Sequence, residues 1–183
     1  MRVITGTARG RALVTLSGLE TRPTADRVKQ ALFNILQSEV EGRTVLDLFA
    51  GSGQLGIEAL SRGAVRCVFV DQSAEAVRVI RQNLRQTRLE ERAQVLQSPA
   101  QEALRRLPGG FDLALLDPPY AAGLLPALLP AVAEHMKPTG VMVCETDRGT
   151  ELPERVGAFA AVRRQGYGRA QLWFYRAVKE ETV

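Results

Sequence analysis

Apolar and polar positions along the chain change period more than once, and each change predicts a different piece of architecture. Residues 2–5 and 11–16 are short β-like runs joined through Gly6-Thr-Ala-Arg-Gly10, which predicts a hairpin. Val28, Ala31, Leu32, Ile35 and Leu36 then recur at helical spacing, with Thr24 placed to cap the N-terminus of that helix. From residue 44 strand and helix patterns alternate. Strands read at 44–49, 66–71, 93–97, 111–116 and 140–145, and helices at about 53–62, 73–86, 99–107 and 121–137. Such alternation predicts an α/β fold, a parallel sheet with helices on both faces. The runs 158–164 and 171–178, separated by Gln165-Gly-Tyr-Gly-Arg169, predict an antiparallel hairpin at the end.

Composition narrows the class. A chain of 183 residues suits one domain with one substantial core, and no repeat or linker divides it. Hydrophobic residues at 45% and charged residues at 24% are ordinary for a globular protein. No apolar run approaches the ~20 residues that span a bilayer, and Met1-Arg-Val-Ile-Thr-Gly6 lacks the apolar core of a signal peptide. A cytoplasmic protein with no membrane partner is expected, and a monomer. Cys67 and Cys144 lie in apolar runs and read as reduced core thiols. With one histidine, His135, and two separated cysteines, no zinc site is expected. His135 falls on a polar stretch of helix and reads as exposed. The net charge of +4 is unevenly placed: residues 1–30 carry six basic groups (Arg2, Arg9, Arg11, Arg22, Arg27, Lys29) against two acidic ones (Glu20, Asp26). A basic end on a neutral body suits a polyanion contact, although a solvated basic surface would look the same.

The candidate chemistry lies at two strand ends. Thr44-Val-Leu-Asp-Leu-Phe49 leads into Ala50-Gly51-Ser52-Gly53-Gln-Leu-Gly56, a G-x-G-x-x-G loop between strand and helix, and Asp71 closes the next strand twenty residues after Gly51. The glycines permit a tight turn and close approach to a ligand, and the acid suits a ribose diol. Dinucleotide and S-adenosylmethionine sites share this layout. Asp47, inside the strand, favours the second, because there it can anchor an ammonium group or shape the loop. The chain also lacks room for a dehydrogenase's substrate domain. The third indication is Asp117-Pro118-Pro119-Tyr120, directly after the apolar run Phe111–Leu116. Asp117 and the Pro118 carbonyl can accept the two hydrogens of an exocyclic amine, the prolines fix the backbone without donating, and Tyr120 offers a stacking face. Alone, the tetrapeptide would equally suit a strand end whose Asp caps the next helix. In a doubly wound sheet, however, strand order reverses between strands 1 and 4, and ligands bind at that switch point. The glycine loop and the tetrapeptide should therefore be neighbours.

Three segments together, Arg22-Pro-Thr-Ala-Asp-Arg-Val-Lys-Gln-Ala-Leu-Phe-Asn-Ile-Leu36, Asp47-Leu-Phe-Ala-Gly-Ser-Gly53 and Asp117-Pro-Pro-Tyr120, resemble the bacterial 16S ribosomal RNA guanine-N2 methyltransferases of the RsmD type. Arg2 to Arg11 resembles that family's N-terminal hairpin, and Glu58-Ala-Leu-Ser-Arg-Gly-Ala64 continues its glycine loop. The resemblance runs from residue 2 to about 176. It implies a Rossmann-like class I methyltransferase whose mixed seven-stranded sheet has the order 3-2-1-4-5-7-6 and an antiparallel last hairpin. The basic hairpin extension would cover 1–22, the catalytic core 23–178 and a tail 179–183. It also implies S-adenosyl-L-methionine as methyl donor, no metal, and 16S rRNA or the assembling small subunit as partner. Carried over by position, Asp47, Phe49, Ala50, Gly51, Ser52 and Gly53 would line the methionine portion of the cofactor, and Asp71 with Gln72 its ribose. Asp117, Pro118, Pro119 and Tyr120 would hold the target base. Arg22 and Thr24 would border the active site, with Arg9 and Arg11 on rRNA. Where such enzymes often place an Asp near the adenine amine, this chain has Gln97-Ser98-Pro99, so Ser98 or the backbone would make that contact.

Rival readings differ in substrate or class. Adenine N6 in DNA or RNA also presents an amine to such a clamp, although no target-recognition insertion is visible. An NAD-dependent oxidoreductase rests only on the glycines and Asp71, and an rRNA-binding assembly factor on a relict fold conflicts with an intact Asp117-Pro-Pro-Tyr120. Trp173, Phe174 and Tyr175 must alternate faces on a strand and read mainly as core. Tyr167 and Arg169, in the predicted hairpin loop, are within reach of RNA.

Overall fold

The computed structural model describes residues 1–16, 23–119 and 123–178. In chain order the elements are α1 (Pro23–Leu36), β1 (Thr44–Leu48), α2 (Gln54–Ser61), β2 (Arg66–Asp71) and α3 (Ala74–Thr87). They continue with β3 (Ala93–Gln97), α4 (Ala100–Arg106), β4 (Phe111–Leu116), α5 (Leu125–Glu134) and β5 (Met136–Asp147). The chain ends in β6 (Arg155–Val156), β7 (Phe159–Tyr167) and β8 (Ala170–Ala177). All eight strands join one sheet in the order β3-β2-β1-β4-β5-β8-β7-β6. Strands β1 to β5 pair in parallel, and β8 turns antiparallel against β5.

The fold is the expected Rossmann-like one, with one strand more than the seven predicted. The addition is β6, a two-residue ribbon on the outer edge of β7, too short to carry a period-two pattern. Strand β5 also starts earlier than expected, at Met136. The turn-like Lys137-Pro-Thr-Gly140 is absorbed by an irregular register, Phe111 pairing with Met136 and Leu113 with Val141. Helix α1 begins at Pro23, which makes Thr24 its second residue and not its cap. Proline suits the first helical position, where its missing N–H has no partner in any case. His135 is half-buried rather than exposed. It closes α5, with Nδ1 2.7 Å from the Ala131 carbonyl and Nε2 3.2 Å from that of Leu107. Tyr167 belongs to β7 and packs on the core, which shortens the predicted hairpin loop to Gly168-Arg169.

Both faces of the sheet are covered, as alternating strand and helix patterns require. Val28 and Leu32 of α1, Leu55 and Ile57 of α2, and Ile80 and Leu84 of α3 pack over Val45, Leu113 and Val143. Leu104 of α4 and Leu128 and Val132 of α5 pack over Leu46, Leu116 and Met142. Each such buried aliphatic side chain stabilises the fold by roughly 1.5–3 kcal/mol. Trp173 and Tyr175 face the second layer and Phe174 the first, so all three aromatics are buried and strand alternation divides them.

The N-terminal segment is bound to the helices through buried side chains that the sequence reading did not identify. The predicted hairpin is present as a short one: Arg2 and Ala12 form its bridge, the Val3, Gly10 and Leu13 N–H groups donate across it to the Arg11, Val3 and Met1 carbonyls, and side chains of the helices below satisfy other backbone groups. Glu58 of α2, fully buried, accepts the N–H of Ile4 at 2.8 Å and of Thr5 at 3.0 Å, and the Arg62 guanidinium pairs with the same carboxylate at 2.8 Å. Ser61 donates to the Thr5 carbonyl at 2.6 Å and accepts the Ala8 N–H at 3.0 Å. Gly6 lies so close that a Cβ would sit 1.8 Å from the Ser61 carbonyl oxygen, and its φ of +87° favours glycine as well. Asn83 of α3 exchanges two hydrogen bonds with the Val14 backbone. Buried Lys29 of α1 donates to the Arg2 carbonyl at 2.9 Å. Burial pulls the Lys29 ammonium below its ordinary range, with Glu58 and Asp26 opposing the shift.

Truncating Glu58 leaves two backbone donors and a guanidinium without their acceptor. Glu58→Ala is expected to cost about 3–5 kcal/mol in denaturant unfolding and to expose the Ile4 and Thr5 amides to fast hydrogen exchange. Unchanged protection of those amides would contradict the clamp.

Candidate functional site

At the C-terminal edge of the parallel strands, side-chain alternation produces a particular electrostatic arrangement. Val45 of β1, Leu115 of β4 and Val143 of β5 face the α1–α3 layer, whereas Leu46, Leu116 and Cys144 face the other. Two residues on from each of the first set stand Asp47, Asp117 and Glu145, on the same face. The registers Leu48 to Leu116 and Leu116 to Cys144 make these three positions, on adjacent strands, close neighbours. Three carboxylates from three adjacent strands thus approach one another beneath the glycine loop.

Asp47 is buried, and its carboxylate accepts the Gly56 N–H at 2.8 Å. Gly56 is the third residue of α2, whose N-cap is Gly53 in the left-handed region at φ 78°. Gly53 has no side chain to satisfy the orphan donors of the first turn, and Asp47 does so from the strand below. Of the two roles foreseen for Asp47, loop shaping is the one observed. The arrangement has a cost, since burial pushes the Asp47 carboxyl up to about 7, against the Gly56 hydrogen bond that lowers it. Gly56 is itself fixed by packing, because a Cβ there would meet the Phe69 ring at 2.3 Å and the Cys67 sulfur at 2.7 Å.

The loop is also tied to its neighbours. Phe49 takes a left-handed φ of 68°, an uncommon conformation for a bulky residue that stores strain where β1 enters the loop. The Ala50 N–H donates to the Val70 carbonyl and the Gly51 N–H to the Asp71 carboxylate, at 3.0 and 2.9 Å. Asp71 accepts the Ser73 N–H with its other oxygen, at 2.9 Å, and the Ser98 N–H reaches the Asp71 carbonyl at 3.0 Å. Gln72 is exposed on the turn that follows, and the Ser98 hydroxyl donates to the Pro99 carbonyl. Asp47, the segment 49–53, Asp71, Gln72, Ser98 and Asp117 to Pro119 therefore occupy one edge of the sheet, as the strand-end argument requires.

Asp117 is half-buried, Pro118 buried and Pro119 exposed. Poor solvation, then the charges of Glu145 and Asp47, push the Asp117 carboxyl well above the ordinary carboxylate range. Arg22 and Tyr120 lie outside the described residues, as does the side chain of Thr24. Arg9 and Arg11 are exposed on the N-terminal segment and do not join the strand ends. The Arg11 guanidinium instead donates to the Gln86 carbonyl on α3 at 2.5 Å.

Two residues of this region escaped the sequence reading. Glu145 read simply as the end of a strand. Asn83 read as a polar position within a helix, yet beyond its bonds to Val14 it donates to the Ser52 carbonyl at 2.9 Å and so ties the N-terminal segment to the glycine loop. The available signal was that residues 80, 83, 84 and 87 form one face of α3, leaving Asn83 on its buried side.

Residues 1–176 match the model of a protein family described as Conserved hypothetical protein 95. The chain is 42% identical over 181 residues to the Bacillus subtilis protein named "Putative rRNA methyltransferase YlbH", covering 96% of this chain and 98% of that one. It is 34% identical over 157 residues to the Haemophilus influenzae protein named "Ribosomal RNA small subunit methyltransferase D", with 83% and 81% covered. Its fold superimposes on the solved Escherichia coli structure titled "Putative methyltransferase yhhF" with a TM-score of 0.84, at 28% identity, over 98% and 99% of the two chains.

The Asp47 carboxyl gives stability a definite pH dependence. Its folded-state value of about 7 exceeds the ~3.9 of an unfolded aspartate, so the folded protein holds the proton more tightly. Asp47's contribution is complete below about pH 4 and is lost as pH rises through 7, up to roughly 4 kcal/mol in all. In Asp47→Asn this component vanishes, and the variant should gain on the wild type from pH 4.5 to about 7 and level off above it in urea unfolding. A constant difference across that range would contradict the assignment.

Proposed function

The chain belongs to the Conserved hypothetical protein 95 family, the RsmD-type methyltransferases, and on that premise we propose that it methylates the exocyclic N2 amine of a guanine in the 16S rRNA of the small ribosomal subunit, with S-adenosyl-L-methionine as donor. The observation that carries this reading is the pairing of Leu48 with Leu116, which sets the glycine loop and Asp117-Pro118-Pro119 at adjoining strand ends. The residues present fit the donor: Asp47 beneath the glycine loop and Asp71 at its edge place two acidic side chains close enough to repel, and an ammonium group would relieve that repulsion. Gly51 and Gly53 keep the loop open to close approach, with Asp71 and Ser98 beside it for ribose and adenine. When bound, the donor supplies a methyl group activated by its sulfonium.

The rest of the chemistry belongs to the chain. The target amine is a poor nucleophile because its lone pair is delocalised into the ring. Asp117 and the Pro118 carbonyl would accept its two hydrogens, favouring a pyramidal nitrogen aimed at the methyl. Holding both reactants in line can be worth roughly 7–11 kcal/mol. No deprotonation need precede attack, since the amine becomes acidic only as the new bond forms. A carboxylate held above its ordinary range is suited to take that proton afterwards. Tyr120 would stack on the base, which must leave its helix to enter. Arg9, Arg11 and Arg22, with Thr24, would meet the RNA around it.

Asp117→Ala is expected to lower methyl transfer from labelled S-adenosylmethionine to small subunits by at least about 10²–10³-fold, while calorimetric affinity for the donor stays within threefold or so. A variant with normal turnover would sink the clamp. The wild-type rate should also fall on acidification while ordinary carboxylates are still ionised, because a protonated Asp117 presents a hydrogen where the amine already offers one. A rate that holds steady down to about pH 5 would contradict the role given to that carboxylate.

A further inference from the structure

The clamp at Asp117 and Pro118 grips an amine and does not tell guanine from adenine. The two bases differ at the ring nitrogen beside that amine: in guanine N1 carries a hydrogen, whereas in adenine N1 is a bare acceptor. A site that selects guanine needs a second acceptor next to the amine clamp, at the depth of Asp117.

Glu145 stands in that position. Leu116 pairs with Cys144 across the parallel strands β4 and β5, so Asp117, just past the end of β4, lies beside Glu145, which remains in β5 and pairs with Leu172 of β8. Alternation returns both to the α1–α3 face, opposite to Leu116 and Cys144. Adjacent strands are about 4.8 Å apart, which brings two carboxylates within reach of one edge of a single base. Glu145 is half-buried. Its charge is felt at Asp117, where it raises the carboxyl second only to desolvation.

We propose that Glu145 is the specificity-determining residue of this site, accepting the N1–H of the target guanine while Asp117 and the Pro118 carbonyl hold N2. This rests on the function proposed above. Adenine would set its N1 lone pair against the Glu145 carboxylate, leaving a half-buried charge facing an acceptor with no hydrogen between them. Sites built to bind a substrate N–H reject analogues lacking it by as much as about 10⁴–10⁵-fold, through repulsion of the wrong base as much as attraction of the right one.

2-Aminopurine separates the two roles, because it keeps the amine at C2 and has no hydrogen on N1. The test uses small subunits assembled on 16S rRNA ligated to carry guanine or 2-aminopurine at the position the wild type methylates, with kcat/KM measured for each. The wild type should prefer guanine by at least about 10²-fold. Glu145→Gln, whose amide can donate as well as accept, should narrow that preference at least tenfold without altering affinity for S-adenosylmethionine, and Glu145→Ala should narrow it too. An unchanged preference in both variants, with guanine turned over at the wild-type rate, would overturn the inference while leaving the proposed function standing. A wild type that forms no N2-methylguanosine would remove both.

Discussion

Everything at this site depends on one geometric constraint: parallel strands in register carry side chains of like parity to the same face. Because β1, β4 and β5 are adjacent, Asp47, Asp117 and Glu145 converge at one edge of the sheet. Loss of solvation raises the Asp47 and Asp117 carboxyls above their ordinary range, and the charges of Glu145 and Asp47 add to the rise at Asp117. The fold tolerates this because Asp47 is anchored by the Gly56 N–H at the start of α2, a position where negative charge is also favoured by the helix dipole. The strained turn at Phe49 and the strut from Asp71 to Gly51 hold the loop that the same carboxylate shapes. An edge that gathers acidic side chains around the glycine loop suits a cationic ligand, and in this fold that edge is the switch point of the strand order.

The N-terminal segment adds a second level of organisation. It is basic and exposed at Arg9 and Arg11, yet its backbone is bound to α1, α2 and α3 through Lys29, Glu58, Ser61 and Asn83. Asn83 contacts both Val14 and the carbonyl of Ser52, so the end of the molecule proposed to meet RNA shares a hydrogen-bonding residue with the glycine loop. Docking onto three helices gives the segment a fixed orientation relative to the strand ends, which a free basic arm would lack.

Much of this was legible in the sequence, and the limits have physical causes. The strand and helix periods located β1 to β4 within a residue or so, because buried parallel strands and amphipathic helices repeat their patterns over several turns. The Asp117 tetrapeptide and the glycines could be placed at neighbouring strand ends because crossover topology leaves few choices. Local chemistry was less reliable. Thr24 has a good capping side chain, but Pro23 before it already suits the first helical position. His135 sits among polar neighbours, yet two carbonyls capture its ring. The Glu58 and Asn83 clamps act across 53 to 69 residues of sequence, and no periodicity reports such contacts. Glu145 was hidden for a related reason: its significance arises only once β5 lies beside β4.

The central claim is that this edge methylates guanine at N2, and the identity of the product tests it most directly. Small subunits lacking the modification, incubated with the protein and labelled S-adenosylmethionine, can be digested to nucleosides and resolved by mass spectrometry. The account predicts label in N2-methylguanosine from 16S rRNA. Label in N6-methyladenosine, or none in nucleosides, would contradict it.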